Sequence, residues 1–284
     1  MPPRDNPTAR QARLGAELRK LRDRAGKTAR EAAGLLSTDQ AKISHIEAGR
    51  VGIGDDRIRR LCTFYQCDDE ALIDALCDIA RERRGQYWFD DYRGILVPGF
   101  LDIAELEHHA VRLRSMQSVT LPGLLQTERY AHALFSGVRP KLPADEVELR
   151  VEHRMKRSAI FERDTPPTFT AIIHEAALRM RFGGRKVARE QLEHLMAISH
   201  SETIAVQVIP FTSEDFIEVT QPVLYATGVV TQLDTVQLDS ASGNQFLDAE
   251  ADLIKYTTLL DIAEHASLDA DESRSIIHHI AREL

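Results

Sequence analysis

Apolar residues recur with helical spacing along the first eighty positions. Leu14, Leu18 and Leu21 stand at i, i+4 and i+7, with arginine and lysine on the opposite face, and Gly26 ends the helix they predict. Thr28-Ala29-Arg30-Glu31 has the form of a capping box and opens a short second helix running through Leu36. Ser37-Thr38 interrupts the pattern. Asp39 then caps a third helix, Gln40–Ala48, stopped by Gly49 and turning Ile43 and Ile46 inward. Two more helices are expected around Asp56–Tyr65 and Asp69–Arg83, the latter with Leu72, Ile73, Leu76 and Ile79 on its inner face.

Near residue 85 the period breaks. Gly85, Tyr87-Trp88-Phe89, Gly94 and Pro98-Gly99 read as a linker over residues 85–100. From Leu101 a helix carries Ile103, Leu106, Ala110 and Leu113. A Pro-Gly turn and a helix capped by Thr127 follow within Leu121–Phe135, and Val147, Val151, Met155 and Ala159 mark a longer helix closed by Thr165-Pro166-Pro167. The character then changes. Phe169–Ile173, Ile204–Ile209, Val223–Thr227, Val229–Leu233 and Thr235–Leu238 are short, β-branched and bounded by turn signals, so they read as strands. Helices are expected at Glu175–Arg181, Lys186–Ser199, Asp248–Ala266 and Asp269–Leu284. The fold class is therefore multidomain: an all-α, five-helix, repressor-like domain over residues 1–84, a linker, and an α+β domain over residues 101–284.

Composition narrows the function. A chain of 284 residues with 43% hydrophobic and 28% charged residues can bury a sizeable core, and no run of 18 apolar residues predicts a membrane span. No secretory signal pattern opens the sequence, so the expected location is the cytoplasm. The three cysteines, Cys62, Cys67 and Cys77, have neither metal-ligand spacing nor neighbouring histidines and read as packed thiols. Net charge is −8, but residues 1–60 hold 14 Lys/Arg against 8 Asp/Glu, leaving a basic head on an acidic remainder. Phosphate attraction is local to one face, so the acidic total does not exclude a nucleic-acid partner.

A short helix, a tight turn and a second capped helix inside an all-helical segment describe a helix-turn-helix. The second helix must offer small and polar side chains to a groove about 12 Å wide while its other side stays apolar. Gln40, Ala41, Lys42, Ser44 and His45 can point outward. Gln40 suits bidentate bonding to adenine, Ala41 a thymine methyl, and Lys42 guanine or phosphate. Arg50, and the Thr28 and Arg30 end of the preceding helix, are placed for phosphates. Glu47 would be repelled by phosphate and is expected to brace the loop after the helix.

The run LRKLRDRAGKTAREAAGLLSTDQAKISHIEAGR resembles the DNA-binding module of the Xre/phage-repressor family, with departures at Ala29 and Ala32 where glutamine and leucine are usual. The segments LPGLLQTERYAHALF, IIHEAALRMRFGG, REQLEHLMAIS and IAVQVIPF resemble, in order and spacing, the C-terminal domain of an actinobacterial family of antitoxin-like Xre regulators. His174 stands where that family usually has aspartate. The resemblance implies a transcription regulator and a small partner protein encoded nearby. It implies no enzymatic activity.

Other constellations carry less. His174-Glu175-Ala176-Ala177-Leu178 lacks the second histidine of a zinc-protease helix, and Gly183-Gly184 lacks the rest of a phosphate loop. Adjacent histidines at 108–109 and 278–279 point about 100° apart on a helix, poor geometry for one metal. Trp88, His174 and Glu175 stay as candidate ligand or partner contacts. The reading is a sequence-specific DNA-binding regulator acting on double-stranded DNA as a homodimer, with a second domain that dimerises and receives a protein or small-molecule signal. It needs no cofactor or metal. The alternative is an antitoxin-like protein that sequesters a small partner and binds DNA only for autoregulation.

Overall fold

The structure is a computed structural model and describes residues 7–83, 85–215, 221–240 and 243–284. The expected first domain, 1–84, therefore includes residues 1–6 and 84, which lie outside the described residues. The chain divides into two compact units: residues up to Leu106 together with Gly228–Leu233, and Glu107–Thr227 together with Asp234–Leu284. It is a multidomain chain in which a helical unit precedes a unit built on a six-stranded sheet with helices. No helix among the described residues is long and apolar enough to cross a membrane.

The first unit opens with five helices: α1 (Ala9–Arg24), α2 (Ala29–Leu35), α3 (Gln40–Glu47), α4 (Asp55–Phe64) and α5 (Glu70–Arg81). The caps read from the sequence are in place: the Thr28 side chain accepts from the Glu31 amide, and Asp39 accepts from Lys42 N at 2.7 Å. Thr8 and Gln11 form a further capping box on α1. Leu14, Leu18, Leu21, Ala32, Ile43, Ile46, Ile58, Leu61, Leu72 and Leu76 share one core, joined by Cys62 and Cys77. Burial pushes the Cys62 thiol up to about 12, so it stays protonated and packs as a small apolar group.

The expected linker is ordered and belongs to this unit. Trp88–Tyr92 form a 3-10 turn with Phe89 and Tyr92 buried, and helix α6 runs Pro98–His109. Asp102 and Glu105 on α6 serve the start of α1: Ala9 N donates to Asp102 at 3.0 Å, and Thr8 Oγ1 and Arg10 N donate to Glu105 at 3.1 and 3.3 Å. Burial raises both carboxyls, Glu105 to about 7. Val229–Leu233, expected as a strand, instead ends in a 3-10 turn at Thr231–Leu233 that buries Leu233 in the helical core. A strand needs a neighbour for its ladder, whereas this segment finds side chains: Gln232 donates to Asp69 at 2.9 Å and accepts from Arg13.

The second unit holds β1 (Arg112–Gln117), α7 (Glu128–Gly137), α8 (Ala144–Arg157), β2 (Thr168–His174), α9 (Glu175–Arg179), α10 (Arg185–Ile198), β3 (Ile204–Ile209), β4 (Val223–Thr227), β5 (Thr235–Ser240), β6 (Gly243–Leu247), α11 (Glu250–His265) and α12 (Ala270–Glu283). Strand order is β3-β2-β1-β4-β5-β6. The pairs β1–β2 and β2–β3 are parallel and the remaining three are antiparallel. Strand β1 corrects the expected helix over Ile103–Leu113: α6 stops at His109, and Leu113 is fully buried in a strand with neighbours on both sides. Helix α11 covers one face, with Leu260 and Ala263 against Met116, Ile172 and Val236. Arg114 of β1 meets it through Asp261 and Glu264, each at 2.7 Å.

Candidate nucleic-acid interface

Helix α3 is seated by its C-terminal end. Gly15 of α1 lies so close that a Cβ there would stand 2.5 Å from the Glu47 carbonyl oxygen. Gly49, at φ +70°, would place a Cβ 2.8 Å from the Ala12 nitrogen. Glycine is needed at both sites because backbone meets backbone, and at Gly49 also because the conformation is left-handed. Arg22 then clamps the joint, donating Nε and Nη2 to the two Glu47 oxygens at 2.6 and 3.0 Å. Hydrogen bonding to Glu47 raises the Arg22 pKa against the opposing effect of burial. Glu47 thus braces α3 onto α1, and not the following loop as its charge alone suggested.

Anchoring that end leaves the opposite face of α3 in solvent. Gln40, Ala41 and Ser44 are exposed and Lys42 and His45 half-buried, while Ile43 and Ile46 are buried. The helix ends at Glu47, one residue short of the expected Ala48, and Arg50 N closes its last turn on the His45 carbonyl at 2.8 Å. The Arg50 side chain is exposed. At the start of α2 Arg30 is exposed, but the Thr28 hydroxyl is engaged by Glu31 Oε2 at 2.7 Å. The Thr28 backbone and hydroxyl hold the Glu31 carboxyl below its ordinary range, so a carboxylate stands where a phosphate would approach that cap.

Charge sorts the cations of this unit into two sets. Arg22, Arg59 and Arg81 are each paired with carboxylates of the same unit. Arg30, Lys42, Arg50 and Arg57 have no carboxylate within ion-pair distance among the described residues. Arg57 was not singled out by the sequence, nor was Arg60, which donates to the Leu35 carbonyl at 2.6 Å beside the α2–α3 turn. Their signal was present in the outward positions of α4, opposite Ile58, Leu61 and Cys62.

Trp88 lies in the first unit, packed edge-on against Phe89 and Tyr92 with ring centroids 5.7 and 6.0 Å apart. His174 and Glu175 lie in the second, and both are occupied by backbone. His174 Nδ1 caps α9 by accepting from Ala176 N at 3.1 Å. Glu175 accepts from Phe211 N at 2.9 Å and pairs with Arg179. Burial works against its charge, but those two partners outweigh it and hold its pKa below the ordinary value.

Two family models match the chain. A helix-turn-helix domain covers residues 13–76, and a Domain of unknown function (DUF5753) covers residues 100–279, more than half of the sequence. The chain belongs to the DUF5753 family. Comparison with curated proteins and with solved structures gave no match. In this DUF5753 protein the helix-turn-helix match runs from residue 13, inside α1, to residue 76, inside α5, which supports an Xre-like helix-turn-helix regulator with DNA as its partner.

Proposed function

We propose that the protein is a sequence-specific transcription regulator that lays α3 in the major groove of double-stranded DNA. The observation that carries this reading is the polar, uncovered side of α3 beside cations that have no carboxylate partner. In it Gln40 bonds a base edge, Ala41 makes an apolar contact, Lys42, Ser44 and His45 contact base edges or phosphate, and Arg30 and Arg50 hold phosphates. The protein acts in the cytoplasm as a homodimer reading two half-sites about 34 Å apart. Its DUF5753 unit dimerises and receives a signal, works without cofactor or metal, and is not an enzyme.

Selection of duplexes from a random pool by the full chain tests this. Recovered sites should share two half-sites with a centre spacing of about 10–10.5 base pairs. A pool that stays unenriched contradicts the reading. The resemblance of LPGLLQTERYAHALF and the segments after it to antitoxin-like regulators of actinobacteria favours a second reading, in which the protein sequesters a small partner encoded nearby and binds DNA only for autoregulation. Co-purification of that neighbour with the full chain, lost on deletion of residues 100–284, would favour it.

A further inference from the structure

Tyr130 and Arg154 of the second unit each bury a polar atom that has no hydrogen-bond partner among the described residues. Arg157, at the end of α8, is complete: it is buried and gives Nε and Nη2 to the two oxygens of Glu107 at 2.7 and 2.5 Å. Arg154, one turn earlier, differs. Its Nη1 donates to Gln126 Oε1 at 2.7 Å, and its guanidinium carbon stands 4.5 Å from the Phe135 ring centroid. Gln126 Nε2 donates in turn to the Leu121 carbonyl at 2.7 Å, which fixes the amide oxygen toward the arginine. Among the described residues no carboxylate lies within ion-pair distance of Arg154, and its Nε is buried without an acceptor.

The surroundings make this cation costly. Of the two guanidiniums only Arg157 has an ion-pair partner, Glu107; Asp239 acts on Arg154 from beyond ion-pair distance. Burial, and then the Arg157 charge, lower the Arg154 pKa. Burial and the charges of Arg157, Arg154 and Lys156 hold the fully buried His153 down to about 3. Tyr130 is 1% exposed and within electrostatic reach of Arg154. Its hydroxyl faces the Leu121 amide but makes no hydrogen bond of ordinary geometry. Gly123 stands over the pair and is itself half-exposed: a Cβ there would lie 3.2 Å from Arg157 Nη2 and 3.7 Å from Arg154 Cζ. No side chain from that position covers the guanidiniums. Stability alone would favour an apolar side chain or a carboxylate partner here.

We propose that Arg154 anchors a binding site for a carboxylate attached to an apolar group. The ligand's oxygens take guanidinium donors left free beyond Gln126, and its apolar part rests on the Phe135 side. The geometry selects the class: a guanidinium fork without an ion-pair partner, beside an aromatic face, suits a planar, singly charged carboxylate on an apolar group better than a multiply charged phosphate near Glu107 and Asp239. The carboxylate is supplied either by a free organic acid or by the end of a peptide chain. This deepens the reading of the DUF5753 unit as the part that receives a signal, and rests on it.

The test is calorimetric titration and thermal unfolding of the full chain with benzoate, with benzamide as the neutral control and with inorganic phosphate. A short peptide ending in phenylalanine, free or amidated at its C-terminus, separates the two sources. Saturable binding of benzoate or of the free peptide is expected, with a raised transition temperature and no response to benzamide, amidated peptide or phosphate. Arg154→Met should abolish binding while leaving the unliganded transition temperature equal or higher, because an apolar chain replaces a half-buried charge that has no ion-pair partner. Arg154→Lys, which keeps the charge and loses the fork, should bind at least about tenfold more weakly and provides the comparison if the methionine variant does not fold. Absence of binding by both carboxylates, binding retained in the variants, or preference for phosphate overturns the proposal. DNA affinity measured in the same samples separates the readings: carboxylate binding without any change in DNA affinity leaves the site standing and removes only its role as a signal receiver.

Discussion

Arg22 in the helical unit and Arg154 in the sheet unit are both drawn into the protein, and they are treated in opposite ways. Arg22 takes both oxygens of Glu47 and fixes the angle at which α3 leaves α1. Arg154 receives one amide oxygen and an aromatic face. Arg22 is buried with its carboxylate and is part of the scaffold, whereas Arg154 is half-buried without an ion-pair partner among the described residues and marks a place open to a ligand. The outward cations of the helical unit give a third case: in water an unpaired charge costs little and stays available for phosphate.

The largest effect is expected from breaking the paired arginine. Glu47→Ala leaves Arg22, at about a tenth exposure, with only the exposed Asp23 carboxylate and the Lys27 carbonyl, and should cost the helical unit about 3 kcal/mol in urea unfolding. The double change Arg22→Met with Glu47→Leu should restore much of that loss. If Glu47→Ala costs no more than a surface pair, the contrast between the two arginines fails.

A pH effect of similar size belongs to Glu105. A carboxyl whose folded pKa is raised binds its proton more tightly in the folded state, so stability is fully present below the unfolded value and lost as pH rises through the folded one. From about 4.5 to about 7 the ceiling is about 3 kcal/mol. Glu105→Gln should flatten that slope in unfolding measured from pH 4.5 to 8. Gly15→Ala pushes a methyl into the Glu47 carbonyl and should cost about 1–3 kcal/mol, with weakened DNA binding because α3 is displaced. The smallest change is a gain: Ser37 sits at φ +51° in the turn before α3, and Ser37→Gly should stabilise by about 0.5–1 kcal/mol in the same unfolding assay.

Legibility in the sequence divides along the same line. The helical unit follows from short-range rules, since its caps lie within four residues of the groups they satisfy and its core repeats every turn. The sheet unit does not. Strand β1 was hidden because Leu113 continues the period of Ile103, Leu106 and Ala110, and because Arg112 and Arg114 look like surface. Only Asp261 and Glu264, about 150 residues away, make Arg114 a core residue. Strand β6 carries few β-branched residues and lies at the sheet edge, so it gave little signal. The outward residues of α3 were legible as a pattern. The Arg22–Glu47 clamp was not, because a charge's partner is a tertiary fact.

The most direct test of the regulator reading is the ratio of affinities for a selected duplex and a scrambled duplex of equal length, measured at one fixed salt concentration for three proteins. For the unmodified chain the account expects a ratio of about 10³ or more. Gln40→Ala should cost about 1–3 kcal/mol on the selected duplex only and narrow that ratio, whereas Arg50→Ala should weaken both duplexes alike and reduce the salt slope by about 1. Equal losses on both duplexes from both substitutions, or a ratio that Gln40→Ala leaves unchanged, would contradict base reading by α3.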